Sequence, residues 1–349
     1  MRPPPRSVPA MEDREPLSGP PGGTLQIWAP ADGRHDPADG RLLDAAVRVD
    51  EMQHRGASGA LIQRLTLKDG TTLVMKAMSP EWDWMMRATR DKGRAALLWT
   101  TGVMDRLPPE IDPLIVRIER EGPVFRLYMR DLAPVLPKER DLPRESAEML
   151  PAMIRLHEAF WETPVEGLCT LTDLLAMASP AAARQFSTDE WRERMDRGWG
   201  AFESVVPRDI VDVVARVRDC PAVFATSLEA EGCTLIHADL HPGNAIVADG
   251  RVMVFDWSLA TWAPPAVDFA WFLAHSFIPV DQRDGMIEAF RTLEGERHSP
   301  RALDLSAIAQ LVNEGWGYGL GSLRGERLDE ANFWADRARV ALDRWQPEL

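Results

Sequence analysis

Apolar and polar residues alternate in several short segments of the first third of the chain, and turn residues separate these segments. Gly56–Gly59, Asp69-Gly70 and Glu121-Gly122 interrupt the alternation where a chain reversal would be needed. The segments predicted as strands are residues 46–55, 60–67, 71–78, 114–119 and 124–129. Because each is short and the turns are tight, the pattern predicts an antiparallel sheet of five strands.

A spacing of three to four between apolar residues, typical of helices, appears first in residues 91–99 and then dominates from Glu145 onward. The first of these segments lies between the third and fourth strands. Further helices are predicted at residues 171–177, 188–205, 208–219, 265–277, 282–293, 306–320 and 329–345. The sequence therefore predicts an α+β fold with a small sheet-containing lobe followed by a larger, mostly helical lobe.

The segment His-Ala-Asp-Leu-His-Pro-Gly-Asn at residues 237–244 carries the strongest chemical signal in the chain. After it, residues 245–247 and 251–255 predict a hairpin around Asp249-Gly250, which would bring Asn244 and Asp256 side by side. Asp239 could accept a proton from a hydroxyl nucleophile, and Asn244 and Asp256 could bind Mg²⁺ through oxygen. The spacing therefore indicates a phosphoryl-transfer site, although these residue types also favour ordinary turns.

These motifs, with Asp256-Trp257 and the segment 264–269, resemble the aminoglycoside phosphotransferase and choline kinase superfamily. The resemblance implies a protein-kinase-like two-lobe fold, ATP or GTP as donor, Mg²⁺ as cofactor and Asp239 as the catalytic base. It also implies that Asn244 and Asp256 are metal ligands. His237 is then a scaffold residue and Asp268 a buried aspartate that holds the loop.

In that superfamily the loop commonly has glycine where this chain has Ala238. The exchange is mild if the backbone there avoids positive φ.

The turn and strand that precede the first predicted helix could bind the phosphates of a nucleotide. Backbone amides of the glycine-containing turn can approach phosphate oxygens, and Lys76 can reach them from the third strand. The predicted nucleotide-binding residues are Gly56, Ser58, Gly59 and Lys76, together with Met129 and Asp131 at the hinge, which are assigned by order along the chain.

The glutamate that normally orients such a lysine is missing, since the apolar register of the first helix puts Ala95 at its position. Asp91, one helical turn earlier, or the more distant Glu81 could replace it. Without such a partner, the protein could be a weak or inactive relative.

The composition divides the chain further. Residues 1–23 carry seven prolines and few large apolar side chains, which predicts a disordered tail. We expect a nucleotide-binding lobe at residues 24–131, a hinge and linker at 132–144, and a helical lobe with the metal and acceptor sites at 145–349. Tryptophans are frequent; Trp82, Trp84, Trp257, Trp262 and Trp271 could line an apolar pocket, although core packing is the favoured interpretation.

The net charge of −14 disfavours nucleic acid as a partner and would suit a cationic substrate. Three cysteines without metal-binding spacing, and the lack of a signal segment or an apolar run of about 18 residues, predict a cytoplasmic protein without membrane contact.

We therefore expect a kinase that phosphorylates a hydroxyl group of a small acceptor, such as an aminoglycoside-like antibiotic or an amino-alcohol. A protein kinase is disfavoured, because only seven residues separate Asp256 from Pro264 and leave no room for a peptide-docking segment. The alternative is a degenerate, kinase-like nucleotide-binding or scaffolding protein. The sequence identifies neither the acceptor nor the oligomeric state.

Overall fold

A computed structural model describes residues 25–28, 41–52, 58–136 and 138–345 of the chain. Within these ranges the sheet-forming part comes first and the helical part second, which confirms the α+β class. The strands are β1 (Gln26–Trp28), β2 (Ala46–Glu51), β3 (Leu61–Leu67), β4 (Thr72–Met78), β5 (Ile111–Asp112), β6 (Ile115–Glu121), β7 (Val124–Arg130), β8 (Cys169–Thr170), β9 (Thr234–Ile236), β10 (Ala245–Ala248), β11 (Arg251–Val254) and β12 (Thr261–Ala263).

The main sheet has the strand order β1-β6-β7-β4-β3-β2, and all neighbouring strands are antiparallel. The five predicted strands are present. The short β1 adds a sixth at the edge, where three residues gave too short a pattern to be predicted. Strand β4 lies between β3 and β7, and its Lys76 pairs with Ile62 on one side and Leu127 on the other. The lysine therefore projects from a central strand.

Two short helices, α1 (Trp84–Ala88) and α2 (Arg94–Thr100), follow β4 where one main helix was expected. The Asp83 carboxylate begins α1 by accepting a hydrogen bond from the backbone N–H of Met86 at 3.1 Å. Gly93, at φ +101°, lies immediately before α2. A Cβ there would overlap the ring of Phe125, so only glycine fits.

The remaining helices pack around a continuous apolar core. They are α3 (Leu142–Ala159), α4 (Leu171–Ala176), α5 (Pro180–Phe186), α6 (Asp189–Val205), α7 (Arg208–Asp219), α8 (Ala222–Glu229), α9 (Pro265–His275), α10 (Arg283–Glu294), α11 (Pro300–Ser322) and α12 (Leu328–Trp345). All predicted helices are present within a few residues of their expected bounds, except that α11 begins six residues earlier. The Ser299 hydroxyl caps the start of α11. Helices α5 and α8 were not predicted.

Helices α6 and α11 cross with their backbones in close approach. A Cβ on Gly319 would collide with the carbonyl oxygen of Gly198, and a Cβ on Gly198 would collide with the carbonyl oxygen of Trp316. Glycine is needed at both positions because no side chain fits between the two backbones. This crossing sets the separation of Trp191 on α6 and Trp316 on α11.

Two small sheets support the loop predicted to be catalytic. Strands β10 and β11 form a hairpin in which Ala245 pairs with Val254, and β11 continues onto β5. Strand β9, which leads into the loop, pairs with β12 in the other small sheet. Residues 237–244 are therefore held between two strands that belong to different sheets.

The described helices include none with both the length and the apolar character needed to cross a membrane. Cys169 and Cys233 are buried free thiols, and Cys220 is an exposed one. Burial raises the pKa of Cys169 to about 11 and that of Cys233 to about 12, so both stay protonated near neutral pH. This agrees with a packing role for the two buried residues.

Candidate active site

The loop at residues 237–244 directs the carboxylate of Asp239 into a large cavity. Asn244 Nδ2 donates to Asp239 Oδ2 at 2.7 Å, and Trp271 Nε1 donates to Asp239 Oδ1 at 2.9 Å. His241 Nε2 lies 3.5 Å from the same Oδ1. Because both oxygens accept hydrogen bonds, the orientation of this carboxylate is fixed. A group that receives a proton from a bound substrate needs such a fixed orientation.

Asp268 holds the loop from below and is completely buried. Its Oδ1 accepts the backbone N–H of Ala238 at 2.8 Å, and its Oδ2 accepts that of His237 at 3.2 Å. The same Oδ2 lies 3.0 Å from Nε2 of His157 on α3. Asp268 thus occupies the anchoring position that the resemblance implies, and His157 is a packed, hydrogen-bonded histidine.

His237 also has a structural environment. Burial lowers its pKa, although Asp268 and other nearby carboxylates oppose this effect. Its ring Nδ1 accepts the backbone N–H of Asp239 at 3.2 Å, and its Nε2 lies 3.1 Å from the carbonyl oxygen of Phe255. The ring therefore connects the loop to the end of the hairpin, which fits the predicted scaffold role.

Ala238 adopts φ +62°, so the condition for a mild exchange of glycine is not met. An L-residue in the left-handed region costs about 1 kcal/mol. The backbone N–H groups of His237 and of Ala238 itself both donate to Asp268, and these two hydrogen bonds hold the strained residue in place.

The hairpin brings Asn244 and Asp256 together as predicted. The backbone N–H of Phe255 donates to the carbonyl oxygen of Asn244 at 3.0 Å, which extends the β10–β11 pairing by one step. Asp256 then leaves the strand at φ +66°. At this residue the backbone turns into the left-handed region, so the chain no longer follows the direction of β11.

Lys76 and Asp256 form an ion pair with 2.7 Å between Nζ and Oδ2. The other carboxylate oxygen accepts the Ser258 hydroxyl at 2.7 Å. Burial raises the pKa of Asp256, but the charge and hydrogen bond of Lys76, with help from Ser258, lower it to about 2. Asp256 is therefore a carboxylate at neutral pH, with the lysine bound to it.

Neither proposed replacement for the missing glutamate pairs with Lys76 in the described ion pairs. Asp91 caps α2, since its Oδ1 accepts the backbone N–H groups of Gly93 at 2.7 Å and Arg94 at 2.5 Å. Glu81 is exposed. Ala95 is buried, as the apolar register predicts.

A different carboxylate, Asp83, lies near Lys76 and was missed from the sequence. Burial raises its pKa, and the Met86 N–H, the charge of Lys76 and the Ser58 hydroxyl lower it to a smaller extent. Asp83 is 2% exposed and lines the same cavity. An aspartate just before an apolar segment indicates a helix cap, but no pattern in the sequence indicates that Asp83 also lies near Lys76.

One cavity of about 700 Å³ brings most of the predicted site residues together. Those that line it are Ser58, Lys76, Met129, Asp131, Asp239, Asn244 and Asp256. Gly59 adopts φ +87° beside this region, whereas Gly56 lies outside the described residues. Trp84 and Trp271 also line the cavity, so the favoured core-packing interpretation is incomplete for these two.

The donor set fits a magnesium ion. Both N–H bonds of the Asn244 amide point at Asp239, to its Oδ2 and its backbone carbonyl, which leaves the amide oxygen for a ligand. Asp256 offers a carboxylate, although Lys76 holds one of its oxygens. The described residues contain no cluster of three or more His, Cys, Asp or Glu side chains that could hold a metal ion. Water and nucleotide phosphates would have to complete the shell.

Comparison with known proteins identifies one family, the phosphotransferase enzyme family, whose model matches residues 55–303. No curated protein matches the sequence. Similar solved structures include an aminoglycoside phosphotransferase, APH(4)-Ia, with ADP and hygromycin B (16% identity, 86% of this chain and 95% of that chain, TM-score 0.48). Others are the choline kinase LicA from Streptococcus pneumoniae (13%, 85% and 92%, 0.47) and spectinomycin phosphotransferase APH(9)-Ia (12%, 86% and 90%, 0.48).

Proposed function

The chain belongs to the phosphotransferase enzyme family, and on that premise we propose that it transfers the γ-phosphate of ATP or GTP to a hydroxyl group of a small molecule. The observation that carries the proposal is the convergence of Asp239, Asn244, Lys76 and Asp256 on one cavity. In this proposal residues 24–131 bind the nucleotide, 132–144 connect the two parts, and 145–349 hold the catalytic loop and the acceptor.

Asp239 would orient the acceptor hydroxyl and take its proton. As the acceptor oxygen bonds to the γ-phosphorus, the bond from that phosphorus to the β,γ-bridging oxygen breaks, and ADP or GDP leaves. The hydroxyl proton passes to Asp239 late in this exchange. The hydrogen bonds from Asn244 and Trp271 support this role, because they keep the carboxylate in one orientation before the substrate arrives.

Lys76 would bind the nucleotide phosphates, and Asn244 and Asp256 would hold Mg²⁺. When bound, the ion would neutralise charge on the phosphate oxygens. In the structure Lys76 and Asp256 neutralise each other, so nucleotide binding requires the lysine to exchange its carboxylate partner for phosphate oxygens. Met129, in β7, and Asp131, directly after this strand, would lie beside the base of the nucleotide.

Asp83 is our candidate for the partner that keeps Lys76 oriented after this exchange. It is buried near the lysine and fixed by the N-cap hydrogen bond to Met86. An active site with this residue does not need a glutamate at Ala95. The proposal therefore favours an active enzyme over a degenerate relative.

Substitution of the proposed base tests the reaction. We expect Asp239→Asn to reduce nucleotide-dependent phosphoryl transfer at least about 100-fold, because the amide cannot accept the proton. Nucleotide affinity should stay close to that of the wild type, since Lys76 and Asp256 are unchanged. Thermal denaturation with ATP or GTP and Mg²⁺ measures binding, and release of ADP or GDP in an acceptor screen measures turnover.

Asp249→Asn is the matched control, because Asp249 is an exposed residue of the adjacent β10–β11 turn. It should retain both binding and turnover. A protein that binds no nucleotide with Mg²⁺, or an Asp239→Asn variant with normal turnover, would contradict the proposal. The first result would favour the scaffolding alternative.

A further inference from the structure

The cavity extends beyond the nucleotide-binding residues to a surface formed by three tryptophans, which we call the tryptophan wall: Trp84 on α1, Trp191 on α6 and Trp316 on α11. The ring centroids of Trp84 and Trp191 are 6.4 Å apart, and those of Trp191 and Trp316 are 6.0 Å apart. Met195 lines the cavity beside them. Contacting aromatic rings in a cavity favour a ligand with an apolar surface of its own.

One carboxylate beside the tryptophan wall, that of Glu314, is already paired. Among the described lining residues from α6 and α11, Glu314 on α11 is the acidic one. Its Oε1 lies 2.6 Å from Nη1 of Arg327 and 3.9 Å from Nε2 of His275. A carboxylate with two such partners has little attraction left for a cationic substrate.

An exposed cation, Arg194, lies against two of these rings, although it is not among the described residues that line the cavity. The guanidinium of Arg194 is 4.7 Å from the ring centroid of Trp191 and 5.8 Å from that of Trp316. A positive charge on these rings repels a second one nearby. This charge, which solvent screens, adds to the pairing of Glu314 in disfavouring acceptors with several positive charges, although the acidic net charge of the chain suggests the opposite.

Asn313, next to Glu314 on α11, provides an independent sign of a ligand. It lines the cavity, and its side-chain oxygen is buried without a hydrogen-bond partner in the described part of the chain. Buried amide oxygens normally accept a hydrogen bond, because an unsatisfied acceptor has lost its hydrogen bonds to water without replacing them. A ligand N–H or O–H group would complete this site.

Resting on the function proposed above, we propose that the acceptor is an uncharged alcohol with a flat, apolar ring body and a hydrogen-bond donor for Asn313. Its ring would pack on the tryptophan wall, and its hydroxyl would reach Asp239. The class differs from the cationic acceptors that the net charge favours. Polycationic aminoglycosides fit this part of the cavity poorly.

Calorimetric titration with defined probes tests the acceptor class, in the presence of Mg²⁺ and a non-hydrolysable ATP analogue. Tryptophol has a flat ring, a ring N–H donor and an uncharged hydroxyl, and 2-naphthaleneethanol is a flat bicyclic alcohol of similar size without a ring N–H. We expect tryptophol to bind at least about fivefold more tightly than 2-naphthaleneethanol and tenfold more tightly than hygromycin B. Tighter binding of hygromycin B, or no binding of either uncharged alcohol, overturns the proposal.

Two variants assign the binding to particular side chains. Asn313→Leu should remove the preference for tryptophol over 2-naphthaleneethanol, and Trp316→Phe should weaken both. Trp345→Phe is the matched control, since Trp345 lies on α12 with its N–H bonded to Asp304 at 2.8 Å, and it should change neither affinity. A preference for tryptophol that survives Asn313→Leu contradicts the role of Asn313.

Product formation separates this inference from the proposed function. With ATP in place of the analogue, tryptophol should yield ADP and its phosphate ester. Binding of tryptophol that depends on Asn313 but gives no ADP supports a binding pocket for this class and refutes its role as the acceptor. ADP formation with hygromycin B alone supports phosphoryl transfer and refutes the acceptor class.

Discussion

Replacement of Asp256 by asparagine should have opposite effects on nucleotide binding with and without magnesium. The substitution keeps the shape of the side chain and removes its charge, so Lys76 loses the carboxylate that lies 2.7 Å from its ammonium group. The freed lysine is then available to the phosphates of a metal-free nucleotide. The variant should therefore bind ATP without metal more tightly than the wild type does, while the additional affinity given by Mg²⁺ is lost.

The pKa of Asp256 sets the size of the effect. Its decrease from 3.8 to about 2 corresponds to about 2.4 kcal/mol of preference for the charged carboxylate. The Asp256 side chain is 31% exposed, so solvent screens the pair and we take roughly 1 kcal/mol as the cost of separating it. Metal-free ATP or ADP should then bind about fivefold more tightly to Asp256→Asn.

Fluorescence titration with a labelled ATP, in EDTA and in excess Mg²⁺, measures both effects on one protein. Asp304→Asn is the matched control, because Asp304, near the start of α11, forms an ion pair with Arg344 of α12 at 3.0 Å and is not among the described residues that line the cavity. The control should behave as the wild type in both conditions.

Weaker binding of metal-free nucleotide by Asp256→Asn would refute this reasoning. It would mean that Asp256 positions Lys76 for the phosphates and does not compete with them. An unchanged response to Mg²⁺ would remove Asp256 from the metal site.

Two further predictions concern stability. Burial raises the pKa of Glu294 to about 8, and the charge of Arg297 opposes this effect. The folded protein therefore keeps a proton that the unfolded chain loses, so the free energy of unfolding is highest below pH 4.5 and decreases as the pH rises from 4.5 to about 8. In urea denaturation, Glu294→Gln should increase the free energy of unfolding by about 2 kcal/mol at pH 8.5 and leave it unchanged at pH 4. The control Glu288→Gln, at an exposed position of α10, should leave it unchanged at both pH values. Equal gains at both pH values would show that ionisation of Glu294 is not the cause. Ala238→Gly should change the unfolding free energy by less than about 0.5 kcal/mol, because relief of the strain at φ +62° offsets the lost methyl group, whereas Ala245→Gly, in the extended strand β10, should cost about 1 kcal/mol or more. Equal losses would show that alanine is not strained at position 238.

The sequence predicted those parts of the molecule that local patterns determine. The Asp249-Gly250 turn and the apolar residues on either side of it were enough to predict the hairpin that joins Asn244 to Asp256. Lys76 could be assigned to the third predicted strand because β3 and β4 are connected by the short Asp69-Gly70 turn, whereas its central place in the sheet emerged only from the pairing of β4 with β7. The roles of these residues in the reaction remain predictions.

Other parts depend on contacts between distant segments and left no local signal. Asp83 begins a short helix, and its nearness to Lys76 arises only from the return of the chain after β4. The tryptophan wall joins residues that are more than 100 positions apart in the sequence, from three helices. The left-handed conformation of Ala238 follows from its bonding to Asp268, and alanine itself favours no such conformation.

The crossing of α6 and α11 through Gly198 and Gly319 has a consequence for how this protein could acquire a new acceptor. The two backbones touch, so neither helix can shift toward the other when a side chain on the cavity surface becomes smaller. A smaller side chain at Trp191 or Trp316 would leave empty volume, and no helix movement would fill it. Directed evolution toward bulkier acceptors could therefore begin with a small library at these two positions, and the glycines should be left unchanged.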